Sequence, residues 1–103
     1  MIARERCEAA FAAAVAACDP AARVAAALAE PALAARIADR RVIGLAIGKA
    51  ALAMARGAGP VAEGIAVTAA DDGQPLPAGW RLALATHPEP GARSERAAQA
   101  ALA

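Results

Sequence analysis

Lys49 is the single lysine of the chain, and the other ten cationic side chains are arginine. It follows Gly48 in the run Arg41-Val42-Ile43-Gly44-Leu45-Ala46-Ile47-Gly48-Lys49-Ala50-Ala51, where an apolar segment gives way through glycine to a helix-forming one. Such a turn leaves the first N–H groups of the helix without intrahelical partners, at the positive end of the helix dipole. It therefore favours an anion, and an ammonium on a flexible stem can close over that anion. Gly48 and Lys49 are accordingly the candidate phosphate- or substrate-binding pair, with Lys49 the candidate catalytic charge. His87, the lone histidine, stands between a third apolar segment and the prolines Pro88 and Pro90. It is a further binding candidate, set against the plainer alternative of a turn residue. The plainer alternative for Lys49 is an ordinary solvated residue opening a surface helix.

Nucleotide fingerprints are not satisfied. Gly44 and Gly48 form G-x-x-x-G-K, one residue short of the Walker spacing, and Ala50 stands where a magnesium-holding hydroxyl would follow the lysine. G-x-G-x-x-G is absent too. No metal site is expected, since no His, Cys, Asp and Glu set has ligand spacing.

The elements that must place these residues follow from hydrophobic period. Cys7, Phe11, Val15 and Cys18 recur at helical steps, Asp19-Pro20 is an N-cap with proline at the first helical position, and Val24 and Leu28 mark the apolar face of a second helix. Pro31 offsets a short third helix carrying Leu33 and Ile37. Residues 1–40 thus read as a helical segment packing on something else, without chemistry of its own. From Arg41 the period changes. Residues 42–47 are continuously apolar, as in a strand buried on both faces of a parallel sheet. A helix over 49–56 ending at Gly57, a strand over 63–68, a loop over 69–79 and a strand over 81–86 follow, and Ser94 is expected to cap a last helix. The fold class is α/β. It is a partial Rossmann-like three-layer unit with a parallel sheet, residues 41–103, preceded by the helical segment. Ligands of such sheets sit beyond the carboxyl ends of the strands, where Gly48-Lys49, the segment from Thr68 to Asp72, and His87 are expected to converge.

Composition bounds the rest. Alanine supplies 37 of the 103 residues and leaves 24 larger apolar side chains, including one Phe and one Trp. A core so thin predicts that another domain or a second copy covers it. The formal net charge of +1 implies neither nucleic acid nor a membrane surface as partner. No apolar run reaches a membrane span, and Arg4, Glu5, Arg6 and Glu8 exclude the pattern of a signal peptide, so a cytoplasmic protein is expected. Cys7 and Cys18 lie about 16 Å apart on one helix, too far for a disulfide, and are expected to be small buried apolar residues.

The run Val42-Ile43-Gly44…Gly48-Lys49-Ala50-Ala51-Leu52-Ala53-Met54-Ala55 resembles the Gly-Lys-Ala-Ala…Met-Ala segment of type II glycerate 2-kinases, the MOFRL-type enzymes often called hydroxypyruvate reductases. The likeness continues in order through Glu63-Gly64-Ile65-Ala66-Val67-Thr68, Pro75-Leu76-Pro77 and His87-Pro88-x-Pro90, and covers essentially the whole chain. It departs from the family pattern at Ala69 to Gln74, where a basic, aromatic and histidine-containing stretch is usual, and at Gly91, usually aspartate. The resemblance implies phosphoryl transfer from ATP, with Mg²⁺, to D-glycerate, giving 2-phosphoglycerate. It implies that Lys49 is the active-site lysine, that Gly48 completes the anion site, and that His87 lies at the cleft. Such kinases are several times longer than this chain, so the expectation is an N-terminal fragment, truncated relative to the family and inactive alone. The alternative is a non-catalytic α/β module that binds an anion or nucleotide.

Overall fold

The computed structural model describes residues 2–86 and 91–103. Three helices come first, α1 (Ala3–Ala17), α2 (Pro20–Ala29) and α3 (Pro31–Ile37). They are followed by β1 (Ile43–Ile47), α4 (Ala51–Ala58), β2 (Glu63–Thr68), β3 (Trp80–Leu84) and α5 (Ala92–Leu102). The α/β class and the parallel sheet expected from the hydrophobic period are what the chain forms. The strands pair in the order β1-β2-β3, all parallel, with Gly44 opposite Gly64 and Gly64 opposite Trp80.

Alternation of side chains along the strands divides the core in two. On one face α4 buries Ala51, Leu52 and Ala55 against Ala46 and Ala66, with Leu76, Trp80 and Leu82 packed around them. On the other face α5 buries Ala97 against Ile65 and Val67. Helices on both faces of a parallel sheet make the three layers. The side chains that touch are small, so the layers approach closely. Ile43, Leu45 and Ile47 on edge strand β1 remain exposed.

Two glycines accept one aromatic ring. A Cβ on Gly44 would stand 2.6 Å from Trp80 Cζ2, and one on Gly64 would stand 2.8 Å from Trp80 Cδ2. The indole therefore lies across β2 and β1, and its Nε1 donates to the carbonyl of Gly59 at 2.9 Å. Between β2 and β3 the chain returns without a helix. Arg56, in the last turn of α4, holds that return segment by donating to both carboxylate oxygens of Asp72 and to the carbonyls of Gln74 and Pro75.

Four local expectations are corrected. Helix α4 runs past Gly57 to Ala58, and Gly59, with φ +75°, closes it. Gly57 is instead a contact point, where a Cβ would meet the backbone of Ala21 on α2. Ser94 is not the N-cap of α5, because Gly91 takes that position and Ser94 turns back to β3. Cys7 and Cys18 are free as expected but exposed. Cys7 shares α1 with Phe11, 73% exposed, Cys18 is the C-cap residue of that helix, and α1 buries none of its residues, whereas Val24 and Leu28 of α2 are half-buried as their spacing predicts. Among the described residues no single helix is long and apolar enough to cross a membrane.

Candidate functional site

The carboxyl ends of the three strands enclose a cavity of about 200 Å³, lined by Ile47, Gly48, Lys49, Val67, Thr68, Ala69, Ala85 and Thr86. Each strand delivers its residues there for a local reason. Gly48 turns the chain out of β1 with φ +114°, a conformation open to glycine and costly to residues with a Cβ. Its N–H donates to the Val67 carbonyl at 2.9 Å, which ties the turn to the end of β2. Ala85 N–H donates to the Thr68 carbonyl at 2.8 Å and ties the end of β3 to β2 in the same way.

Lys49 and Ala50 lie in the turn between Gly48 and α4. The ammonium of Lys49 is exposed, and among the described residues it forms no ion pair. Asp19 and Glu30 cap α2 and α3 with carboxylates, whereas no side chain caps α4. The amides of Leu52 and Ala53, in its first turn, have no hydrogen-bond partner among the described residues. Lys49 brings its positive charge to the cavity beside Gly48, and Leu52 and Ala53 lie in the first turn of α4, outside the residues that line it.

The strand-end expectation divides. Gly48, Lys49 and the end of β2 meet at the cavity as predicted. Asp71 and Asp72 do not, because Arg56 draws Asp72 to the far end of α4, with N–H···O distances of 2.6 and 2.7 Å. The guanidinium, with the Gln74 N–H, lowers the Asp72 pKa to about 2, and the hydrogen-bonded Asp72 carboxylate raises that of Arg56. His87 lies outside the described residues.

Thr68 was expected at the cleft as the start of the segment running to Asp72, whereas Thr86 was not singled out. Thr68 is the buried polar residue of the core, 7% exposed. Thr86 lines the cavity, and its hydroxyl shares a 2.8 Å hydrogen bond with Ser94 on α5, whose oxygen also accepts from Thr86 N–H. The available signal was a hydroxyl residue ending each of two apolar strand segments.

Magnesium is not accommodated by these side chains. Among the described residues no group of three or more His, Cys, Asp or Glu is placed to hold a metal ion. A magnesium site needs at least one or two carboxylates beside substrate phosphates, and Arg56 engages Asp72 away from the cavity. A larger cavity, about 640 Å³, lies elsewhere, among apolar residues such as Val24, Leu28, Val42 and Met54. Its lining offers no charge to orient a polar substrate, so the site of interest is the smaller, strand-end one.

The fold and cavity define a class: an α/β protein with a small cavity at the carboxyl edge of its parallel sheet. The family described as "Domain of unknown function (DUF4147)" matches residues 6–103, and the chain belongs to that family. No curated protein and no solved structure matches it.

Proposed function

We propose that this chain is the N-terminal portion of a cytoplasmic glycerate 2-kinase, in which ATP phosphorylates D-glycerate to 2-phosphoglycerate. One observation carries the reading. Lys49 stands at a glycine-opened helix start on the rim of a cavity built from all three strand ends. The sequence resemblance supplies the reaction, and the cavity supports an oxyanion at that place.

In this reading Lys49 balances the negative charge of the glycerate carboxylate or of the phosphoryl group being transferred. A fixed cation counts for most when charge is shared among phosphoryl oxygens, since phosphoryl transfer depends on positioning and electrostatics more than on covalent chemistry. Gly48 lets the ligand approach the backbone. These groups bind and orient an anion. On their own they make a binding module, the alternative that the residues of the cavity favour when taken alone.

The test is an assay of ATP-dependent formation of 2-phosphoglycerate by the complete protein, wild type against Lys49→Met. Glycerate-dependent turnover that collapses in the variant supports the kinase reading. Binding of glycerate without turnover by the complete protein supports the binding module instead.

A further inference from the structure

Helix α1 carries no polar side chain from Ala9 to Ala17 and yet buries none of its residues. A helix apolar on all sides is ordinarily a buried one. Between Ala3 and Cys18 the apolar side chains larger than alanine are Cys7, Phe11, Val15 and Cys18, and steps of four, four and three put them on one face. Phe11 and Val15 are more than half exposed there. The chain is also extended, with a radius of gyration of 16.7 Å against about 13 Å for a compact domain of this size. At its carboxyl end the face runs into a hollow at the elbow where α1 and α2 meet at 46°, lined by Val15, Ala16, Cys18, Asp19 and Pro20.

We propose that α1 is a dimerisation element, pairing antiparallel with α1 of a second copy of this chain across a two-fold axis. The inference is independent of the reading of Lys49. The face is its own complement, which favours a second copy. With Phe11 set against the partner's Ala14, the two-fold sets Ala14 against the partner's Phe11, and Cys7 falls beside the partner's Cys18. The surrounding alanines let the helix axes approach toward the lower end of the usual range of about 8–10 Å. Charge selects the antiparallel orientation. The charged residues of α1, Arg4, Glu5, Arg6 and Glu8, all stand in its amino-terminal half. A parallel pair would bring the two positive dipole ends together. The antiparallel pair brings each of them to the partner's elbow, beside the Asp19 carboxylate and the carbonyl end of α1. A face about 22 Å long and 10 Å wide covers less than the roughly 800 Å² that each partner of a standard interface buries, so the dimer is reversible and concentration-dependent.

Sedimentation equilibrium of the reduced protein from about 1 to 500 µM tests the pairing, and diamide oxidation at the upper concentration tests its orientation. The mass is expected to rise from one copy toward two, with Phe11→Ala raising the dissociation constant about tenfold or more. Alanine keeps the helix, and α1 buries nothing within its own chain, so the melting temperature of the dilute variant should match wild type. On oxidation two thiols give two protons and two electrons to the diazene and form one disulfide between copies. That link is expected in wild type and in neither Cys7→Ser nor Cys18→Ser, because each variant keeps thiols at opposite ends of the pair. An equal mixture of the two variants should restore it. A link that survives in either single variant would overturn the antiparallel orientation, and a wild-type dimer that forms no link would overturn the register. A monomer at every concentration would overturn the proposal as a whole. So would a dimer indifferent to Phe11→Ala, and if Leu45→Lys dissociated that dimer, edge strand β1 would be the interface instead.

Discussion

Arg56 and Asp72 are joined through both guanidinium nitrogens and both carboxylate oxygens, and this pair fixes the segment between β2 and β3 against the end of α4. Paired fork-to-fork geometry is stronger and more directional than a single surface ion pair. It does here what a crossover helix does between other parallel strands. It also explains why two aspartates that follow a strand end do not face Lys49.

The pair makes stability depend on acidity in a defined direction. The Asp72 carboxyl, held at about 2 in the fold, has an ordinary value of 3.8. A depressed carboxyl contributes stability above its ordinary pKa and loses it as pH falls toward the folded value. Wild type should therefore melt higher than Asp72→Asn at neutral pH, with the gap closing between about pH 4 and 2. Both side chains are partly exposed, so added salt should narrow the gap as well. Melting temperatures across pH check this, and a gap that does not change with pH would refute it.

Gly44→Ala should destabilise the fold by about 1–3 kcal/mol, because the new methyl enters the ring of Trp80 in a packed layer. Denaturant unfolding followed by Trp80 fluorescence measures the loss directly. Gly64→Ala should behave alike, since its methyl meets the same ring and Val61 Cγ2 at 2.9 Å.

Gly57→Ala opposes two effects. Alanine is the better helix former by about 1 kcal/mol, which alone would stabilise α4. The methyl, however, would lie 2.8 Å from Ala21 Cα and closer still to its carbonyl oxygen, and backbone cannot move aside as a side chain can. Steric conflict should win and lower the melting temperature. A rise in melting temperature would show that α2 does not approach α4 at this point.

Gly48→Ala meets no neighbour, as nothing lies within 4 Å of the added methyl, so its cost is backbone strain alone, about 1–3 kcal/mol at φ +114°. Because relaxing that strain moves the turn, oxyanion affinity should fall with stability. Titration and melting of this one variant should therefore shift together.

Much of the scaffold could be read from hydrophobic period. Strands expected over 42–47, 63–68 and 81–86 form at Ile43–Ile47, Glu63–Thr68 and Trp80–Leu84. Continuous apolar runs between glycines and prolines leave few other arrangements. What the sequence hid depends on register. Trp80 sits on Gly44 and Gly64 only because the three residues fall side by side in neighbouring strands. The choice between Gly57 and Gly59 as helix terminator turned on the approach of α2, which local propensity does not encode. Cys7, Phe11 and Val15 have the spacing of a buried stripe, yet α1 buries none of them, because period marks an apolar face without supplying its partner. At the site, Gly48 and Lys49 were legible from residue type and the strand–glycine–helix order. Thr68 was legible only as the start of a strand-end segment, and Thr86 was not, since a threonine in an apolar run is an ordinary strand residue until the sheet places it.

Lys49→Met provides the most direct test of the central claim, with turnover of D-glycerate by the complete protein measured beside the variant's melting temperature. Methionine keeps the apolar stem and removes the charge, so stability should change by less than about 1 kcal/mol. Turnover should fall on the order of 100-fold or more, as when one preorganised charge-stabilising group is lost. Turnover close to wild type at unchanged stability would contradict the account and return Lys49 to the status of a solvated surface residue.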